Sequence, residues 1–237
     1  GFTLPSALLM IGFAAVVHLP VWPLAWIHGL KLVALAIVAH AAVSMARSLI
    51  RTRFHAVILI CSIALFWNFT AAWMQIVAIC GAGVAGAVSG ERASTYGGSV
   101  LPGISKHTAI AHLAVLLLLL SLMPWIAPSA GSPIVTLADI FVRISSFVFG
   151  GGHVVLPLLQ KDLVETGLIN GDRFLAGYSA AQALPGPLFS FAGFAGMEAG
   201  GIATAFVCLA AIFLPGYLLV MGLLRFWESL RTNELVR

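Results

Sequence analysis

Two apolar stretches of this sequence are interrupted by residues that do not fit inside a helix. The first, FVFGGGHVVLPLL, carries three consecutive glycines at 150–152, and the second, AAQALPGPLFSFAGFAG, carries Pro-Gly-Pro at 185–187. Glycine removes the side chain that holds a helix rigid, and proline removes a backbone donor. Unwound backbone within an apolar segment survives only where it faces protein or a water-filled cavity. The paired breaks therefore predict a polar site inside a membrane protein.

Helices that start at these breaks have the chemistry of an oxyanion site. One helix beginning after Gly152 and another beginning at Pro187 each present free N–H groups and the positive end of a dipole. Proline suits the first helical position, and such termini bind tetrahedral oxyanions. Gln182, Ser190 and His153 lie within about a turn of the breaks and add donors. His153 is equally well explained as a structural histidine, and Ser190 more simply as a hydroxyl bonded to its own helix backbone.

Two basic residues, Lys31 and Arg143, fall inside predicted spans. A charge at the bilayer centre costs about 2.5–3.5 kcal/mol, so each needs a reason. Both lie near the outer end of their segment, where a long side chain can extend to the membrane surface, and anion binding is the alternative explanation. For Lys31 both explanations stay open. For Arg143 we favour binding, as an unpaired buried cation, because it lies two turns before the glycine break.

Together these residues predict one anion site between the two breaks. The anion is contacted by N–H groups near Gly152 and Pro187 and balanced by Arg143, because a tetrahedral dianion accepts hydrogen bonds on every face. The predicted anion-binding residues are Arg143, Gly150, Gly151, Gly152, His153, Gln182, Pro185, Gly186, Pro187, Ser190 and Lys31. No metal site or cofactor is expected, since the three cysteines are scattered without a CxxC or His pairing.

The composition is that of an integral membrane protein. Hydrophobic residues make up 61% and charged residues 8%, against roughly 25% charged in a soluble domain. The mean hydropathy is +1.07. The net charge of +4 therefore concerns membrane topology and not nucleic-acid binding. The expected fold is all-α and polytopic.

The apolar runs predict about eight membrane elements, two of them discontinuous. A charged loop is expected at 161–173, between the two broken elements, and the fifth run is expected to stop at Pro124 and Pro128. The uninterrupted runs cover about 1–17, 24–46, 54–67, 70–88, 107–126 and 201–224.

The distribution of positive charge predicts the orientation. Ten of the 12 Lys and Arg residues fall in the segments 47–55, 89–106, 161–173 and 225–237, which alternation places on one side. None falls in the loops opposite. Because cytoplasmic loops carry the excess of Lys and Arg, these four segments are predicted to be cytoplasmic.

A short internal repeat suggests an inverted-repeat transporter. LPSALLMIG at 4–12 aligns with LPGYLLVMG at 214–222, and the predicted topology runs the two copies in opposite directions. Inverted pairs are a recurrent transporter plan. The broken elements of the first copy would then precede residue 1, and the second copy lacks an equivalent of 24–88. We therefore expect the chain to be cut at both ends, and no signal peptide is identified.

Two of these motifs carry a family resemblance. FGGGHVVLPLL at 149–159 and QALPGPLFSFA at 182–192 resemble the signature segments of the second half of the chromate ion transporter (CHR) family. Residues 1–46 resemble the end of that family's first half. The resemblance implies a polytopic bacterial inner-membrane protein, built from two homologous halves of opposite orientation, that exports chromate. For relatives, sulfate uptake is the proposed alternative.

The resemblance also implies domains and partners. Residues 1–88 correspond to the C-terminal part of the first half, 89–136 to an inter-half loop with a connecting helix, and 137–237 to the second half. The first half's own glycine-rich and PGP segments are absent. The expected partners are chromate or sulfate, the lipid bilayer, and either a second copy of the chain or the missing halves of the same polypeptide. No nucleic acid is expected.

The membrane potential favours export over uptake. One charge moved through 100 mV is worth about 2.3 kcal/mol, and a dianion leaving a negative interior gains about twice that. Uptake needs protons or cations, yet no deeply placed carboxylate is expected, because Asp139 and Glu198 lie near predicted outer ends. His153 is the remaining candidate proton carrier.

Two other classes of protein compete with a transporter. An intramembrane hydrolase would use Ser190 as nucleophile with His153 as base, but neither GxSxG nor HExxH occurs in the sequence. No enzymatic activity is therefore expected. A truncated, non-transporting membrane subunit would pack its broken helices only against a partner chain, and anion-dependent stabilisation of the isolated protein distinguishes it from a transporter.

Overall fold

The computed structural model describes residues 3–17, 24–50, 52–68, 74–89, 105–147 and 155–231. Within these ranges all regular structure is helical, and the ten α-helices follow the predicted segments, each predicted discontinuous element containing two of them. They are α1 Thr3–Val17, α2 Leu24–Leu49, α3 Arg53–Asn68, α4 Met74–Ser89, α5 Lys106–Ala130, α6 Pro133–Phe147, α7 Val155–Gln160, α8 Gly171–Ala183, α9 Phe191–Gly200 and α10 Ile202–Arg231.

The helix surfaces identify the chain as an all-α membrane protein. In the described part, two helical segments are long and apolar enough to cross a membrane, Lys106–Ala130 and Ile202–Arg225. The first has few buried residues, and Leu117, Leu118 and Trp125 along it are 66%, 55% and 80% exposed. Large apolar side chains facing outward in this number suit lipid and not water. The number of crossings and their orientation stay predictions.

Helix α5 is longer than expected. It continues through Pro124 and Pro128 to Ala130, and Gly131 ends it with a left-handed φ of 58°. The expected stop at the prolines is wrong. Each proline removes one backbone donor from the last turns, and an apolar environment, where the alternative is an unsatisfied backbone, tolerates such losses within a helix. A glycine at the helix end adopts the left-handed conformation without steric cost.

The predicted charged loop at 161–173 is also shorter than expected. Lys161–Glu165 form a π-helical turn that continues α7, and α8 already begins at Gly171. The side chain of Asn170 caps α8 by accepting a hydrogen bond from the Asp172 N–H at 2.9 Å. Leu163 and Ile169 are buried, and the Ile169 N–H donates to the Leu163 carbonyl at 2.9 Å. The charges lie on exposed faces of helix ends, so the loop itself is only 166–170.

By packing, the chain divides into two compact units. One comprises 1–38 with 103–227, and the other comprises 39–102 with 228–237. The second unit contains the packed pair α3 and α4. The predicted division into repeat halves concerns homology and not packing, and it stays a prediction. Both interrupted elements belong to the first unit.

The core of the first unit brings α1, α6, α8 and α9 together. Helix α1 packs along α9, and α9 also contacts α6 and α8. The rings of Phe174, Phe191 and Phe194 are buried, with Phe174 and Phe191 edge to face at a centroid distance of 5.2 Å. A Cβ atom at Gly196 would lie 2.6 Å from the Ala205 Cα. The absence of a side chain there lets α9 approach the backbone of α10, and α9 is therefore enclosed on several sides.

Candidate functional site

The second predicted break is present between α8 and α9. Helix α8 ends at Ala183, and Leu184 is extended, with φ −83° and ψ 140°. Residues 184–187 are not helical, and a short 3-10 turn, Leu188–Ser190, leads into α9. Two prolines with one intervening residue cannot continue the ladder of helical hydrogen bonds, and this accounts for the interruption. The predicted interruption at 185–187 is confirmed.

The helical turn after the break starts at Leu188, one residue later than expected, and α9 itself starts at Phe191. Pro187 has φ −70° and ψ 136°, so it precedes the first helical residue and does not occupy it. Its carbonyl accepts the first turn bond, from the Ser190 N–H at 2.9 Å. A cap residue takes extended dihedrals while its carbonyl begins the helix, which the fixed φ of proline allows. The N–H groups of Leu188 and Phe189 precede that first bond, so they are the donors this helix start can offer to a ligand.

Helix α1 packs directly on the break. A Cβ atom at Gly186 would contact both Cβ and Oγ of Ser6, a residue that is 1% exposed. The Ser6 hydroxyl donates to the Thr3 carbonyl at 3.2 Å, within its own helix. Ser6 belongs to the LPSALLMIG segment that the sequence singled out as a repeat. Only glycine at 186 permits this close approach of α1 to the break.

Two other polar residues predicted at this break, Gln182 and Ser190, lie in α8 and in the 3-10 turn before α9. The Gln182 amide donates through Nε2 to the Tyr178 Oη at 3.1 Å, one turn earlier. Tyr178 is buried beside Phe191, at a ring-centroid distance of 6.1 Å. Ser190 is 1% exposed and so lies in the protein interior. Gln182 therefore lies at the end of α8 just before the break, and Ser190 in the 3-10 turn just after it.

An ion pair joins the helices on either side of the break. Arg173 Nη1 lies 3.1 Å from Glu198 Oε2, and the Glu198 side chain is only 3% exposed. Arg173 lies at the start of α8 and Glu198 near the end of α9. The two residues are 25 positions apart, so no local sequence pattern indicates the pair. It ties together the ends of two helices that the break separates.

The first predicted break lies largely outside the described residues. Gly150, Gly151, Gly152 and His153 fall within 148–154, whose structure is not described. The described helical segments on either side of it, α6 and the turn after α7, are close to each other. Arg143 Nη2 lies 3.5 Å from Asp162 Oδ2, although the residues are 19 positions apart. In a continuous helix that separation would be about 28 Å, so α6 and the segment after α7 do not form one straight helix.

Arg143 is paired, contrary to expectation. Its Nε donates to Asp139 Oδ2 at 3.0 Å, and its Nη2 faces Asp162. The side chain of Arg143 is 41% exposed and that of Asp139 only 8%. A buried carboxylate is stable only when a cation or hydrogen-bond donors compensate it, which explains the pairing. With two carboxylates and one guanidinium, the cluster has a formal charge of −1.

This cluster lies in a cleft of about 490 Å³. Helices α5 and α6 and the turn after α7 form its walls. The lining residues are Pro124, Ala127, Pro128, Thr136, Asp139, Ile140, Arg143, Asp162 and Thr166. No residue of 185–187 is among them, so the described lining of this cleft comes from other parts of the chain. Lys31 lies on α2, and its side chain is outside the described structure.

Sequence reasoning missed the buried carboxylates. Asp139 is 6% exposed and the Glu198 side chain 3% exposed. Both are therefore buried in the protein, and their predicted location near outer ends did not imply exposure. One signal for Asp139 was present, because it precedes Arg143 by four residues and that spacing places both on one helix face. No comparable signal exists for Asp162, which belongs to a different helical segment.

Comparison with known proteins matches this part of the chain. The family model described as "Chromate transporter" matches residues 135–237. A chromate transport protein of Pseudomonas aeruginosa is 29% identical over 159 residues, 61% of this chain and 38% of that protein. A probable chromate transport protein of Synechococcus elongatus is 35% identical over 86 residues, 36% of this chain and 22% of that protein.

An uncharacterized transporter of Methanocaldococcus jannaschii is 24% identical over 107 residues, 45% of this chain and 27% of that protein. The chain therefore spans well under half the length of each of these three relatives. No solved structure matches the chain significantly. The matched family segment includes nearly all of α6 and the whole of α7 to α10. It therefore contains Asp139, Arg143, Asp162 and the α8–α9 break, whereas the α5 wall of the cleft lies outside it.

Proposed function

We propose that this chain, which belongs to the chromate transporter family through its residues 135–237, is a membrane transporter. Its proposed substrate is a tetrahedral divalent oxyanion, and chromate is the first candidate. We propose the bacterial inner membrane as its location, in a multi-pass arrangement. It acts as a transporter and not as an enzyme. The relatives with chromate in their names support the substrate class.

The observation that carries this proposal is the interruption between α8 and α9. It lies inside the family segment, is enclosed by α1 through the contact of Ser6 with Gly186, and starts a new helix at Leu188. An interrupted helix inside an apolar protein presents unpaired N–H groups and the positive end of a dipole to a ligand. These features bind an oxyanion without a metal or a cofactor.

The anion site is proposed between the two breaks. N–H groups near Gly152 and after Pro187 contact the anion, and Arg143 supplies the balancing charge. Gln182, Ser190, His153 and Lys31 remain candidates for further contacts. The ion pairs of Arg143 require that its guanidinium exchange at least one carboxylate for the anion. A planar guanidinium binds carboxylate and tetrahedral oxyanions with the same paired donors, so this exchange needs no new geometry.

Export is the proposed direction, driven by the membrane potential. A dianion leaving a negative interior through 100 mV gains about twice 2.3 kcal/mol. Uptake of sulfate or a related oxyanion is the second candidate. One observation favours it, because the buried Asp139 in the Arg143 cleft supplies the carboxylate that proton-coupled uptake requires and that the sequence alone did not reveal.

Binding is tested by thermal unfolding of the purified protein in chromate, sulfate and chloride at equal ionic strength. A ligand that binds only the folded state stabilises it by about 2.7 kcal/mol at a concentration one hundred times its Kd. We expect chromate and sulfate to raise the unfolding temperature in a saturable manner and chloride to leave it unchanged. Equal effects of all three salts would contradict a dianion site and favour a non-transporting membrane subunit.

A further inference from the structure

We propose that Asp139 is a proton-binding site coupled to anion binding at Arg143. When the anion binds to the guanidinium, the Asp139 carboxylate leaves its ion pair and takes up one proton from solution. This inference rests on the proposed function, since it concerns the same transported anion. It adds a proton that binds together with the anion, and a residue that holds it.

One oxygen of Asp139 has no partner in the described structure. Oδ2 accepts from Arg143 Nε, but Oδ1 is buried and makes no hydrogen bond to any described residue. The side chain as a whole is 8% exposed, and the residue lines the cleft. A buried, half-satisfied carboxylate is costly unless its charge is compensated. Removal of the guanidinium therefore requires either a replacement cation or a proton on this group.

The net charge of the cleft also couples anion binding at Arg143 to proton binding at Asp139. In the structure, Asp139 and Asp162 outweigh Arg143 by one negative charge, which repels a dianion. One proton on Asp139 neutralises the cluster and leaves Asp162 as its only ionised acid. Arg143 Nε then loses its carboxylate acceptor and becomes available to the anion. Anion binding and proton binding thus favour each other, and this relation is reciprocal by thermodynamic necessity.

Among the described residues, the elements packed around α6 contribute one ionisable group to the cleft, Asp162. The α5 lining consists of prolines and alanine, and the turn after α7 contributes Asp162, the second acid of the cluster. Lys161 and Glu165 flank Asp162 in sequence and are exposed. Helix α9, which also packs on α6, carries Glu198, whose carboxylate faces Arg173. Among described groups, Asp139 is therefore the buried acid that faces Arg143 directly.

The two hydroxyls of the cleft do not replace the guanidinium at Asp139. Thr136 donates its hydroxyl to the Ser132 carbonyl at 3.2 Å, and Thr166 donates to the Asp162 carbonyl at 2.6 Å. Each hydroxyl has one hydrogen to donate, and both are used within their own helical segments. When the Arg143 guanidinium binds the anion in place of Asp139, a proton from solution is therefore the smallest species that can neutralise the Asp139 carboxylate.

The test measures proton uptake on anion binding by the full chain in detergent. Sulfate, which stays a dianion over this range, is added to weakly buffered protein containing a pH indicator, and its affinity is measured from pH 5 to pH 8. We expect up to one proton taken up per anion bound, and a Kd that rises by up to about tenfold per pH unit over part of this range. Asp139→Asn is expected to bind the anion without proton uptake. Glu165→Gln, at an exposed acid, is the control and is expected to match the parent.

The outcomes separate the two proposals. Anion binding by the parent protein with no proton uptake and no pH dependence would overturn this inference and leave the proposed function intact. Uptake that persists unchanged in Asp139→Asn, or an affinity that depends on Na⁺ concentration and not on pH, would also overturn it. If the parent binds neither chromate nor sulfate, the proposed function fails and the inference fails with it. The parent measurement decides the proton linkage even if Asp139→Asn does not fold.

Discussion

Replacement of Arg143 by alanine is expected to abolish chromate transport. The guanidinium is the cation proposed to neutralise the anion, and it also compensates the buried Asp139 at 3.0 Å. Without it, the anion loses its balancing charge and the Asp139 carboxylate, which is 8% exposed, loses its cation, so we expect the initial rate to fall by about a hundredfold or more. Arg143→Lys keeps the charge but loses the planar fork and is expected to recover only part of the rate. The measurement is labelled chromate transport per inserted protein molecule.

A second variant distinguishes a purely structural role of Arg143 from a role in anion binding. Asp162→Asn weakens the contact that joins α6 to the turn after α7 but leaves the Arg143–Asp139 pair in place. We expect this variant to keep most of its transport. If Asp162→Asn loses transport as completely as Arg143→Ala, then Arg143 acts as a tie between two helical segments. If Arg143→Ala inserts normally and transports at the parent rate, the charge lies elsewhere, and Lys31 is the next residue to test.

Gly186→Ala is expected to cause the second large loss. The added methyl group would overlap Ser6 Cβ and Oγ, so α1 has to move away from the break. Overpacking of a close contact costs about 1–3 kcal/mol, and it displaces the backbone proposed to contact the anion. We expect at least about a tenfold lower transport rate together with a lower unfolding temperature.

A rescue experiment shows whether the contact itself is responsible. Ser6→Gly removes the overlapping atoms, so the double variant with Gly186→Ala is expected to regain much of the lost rate. Gly216→Ala is the matched control, because a Cβ atom at Gly216 in α10 meets nothing within 4 Å. A parent-like rate for Gly186→Ala would show that the approach of α1 to the break has no role in transport.

The helical segments could be predicted from the sequence because each depends mainly on local apolar composition. The break at 185–187 was predictable from local sequence too, since two prolines separated by one glycine remove two backbone donors within three residues. The predicted helix ends were wrong where the surroundings of the segment determine whether the helix continues. The stop at Pro124 and Pro128 failed because an apolar surrounding favours continued helical hydrogen bonding. The loop at 161–173 was predicted from its charge, although charged side chains also occupy exposed faces of helix ends.

The electrostatic part of the site was less predictable. Arg143 was expected to be unpaired, yet Asp162, 19 residues later and in a different helical segment, lies 3.5 Å from its guanidinium. Asp139 was within reach of a sequence argument through its four-residue spacing, but its burial depends on packing between helices. The glycine break at 150–152, the inverted repeat and the cytoplasmic segments stay predictions, as does the division into transporter halves.

Transport of a tetrahedral dianion is measured as its accumulation in everted membrane vesicles. Vesicles carrying the chain are given labelled chromate or sulfate, with and without an interior-positive potential. We expect chromate accumulation in the lumen that requires the chain, increases with the potential and is lost in Arg143→Ala. Accumulation of neither anion above that of vesicles without the chain would contradict transport. Accumulation only in right-side-out vesicles energised with a proton gradient would contradict export and establish uptake.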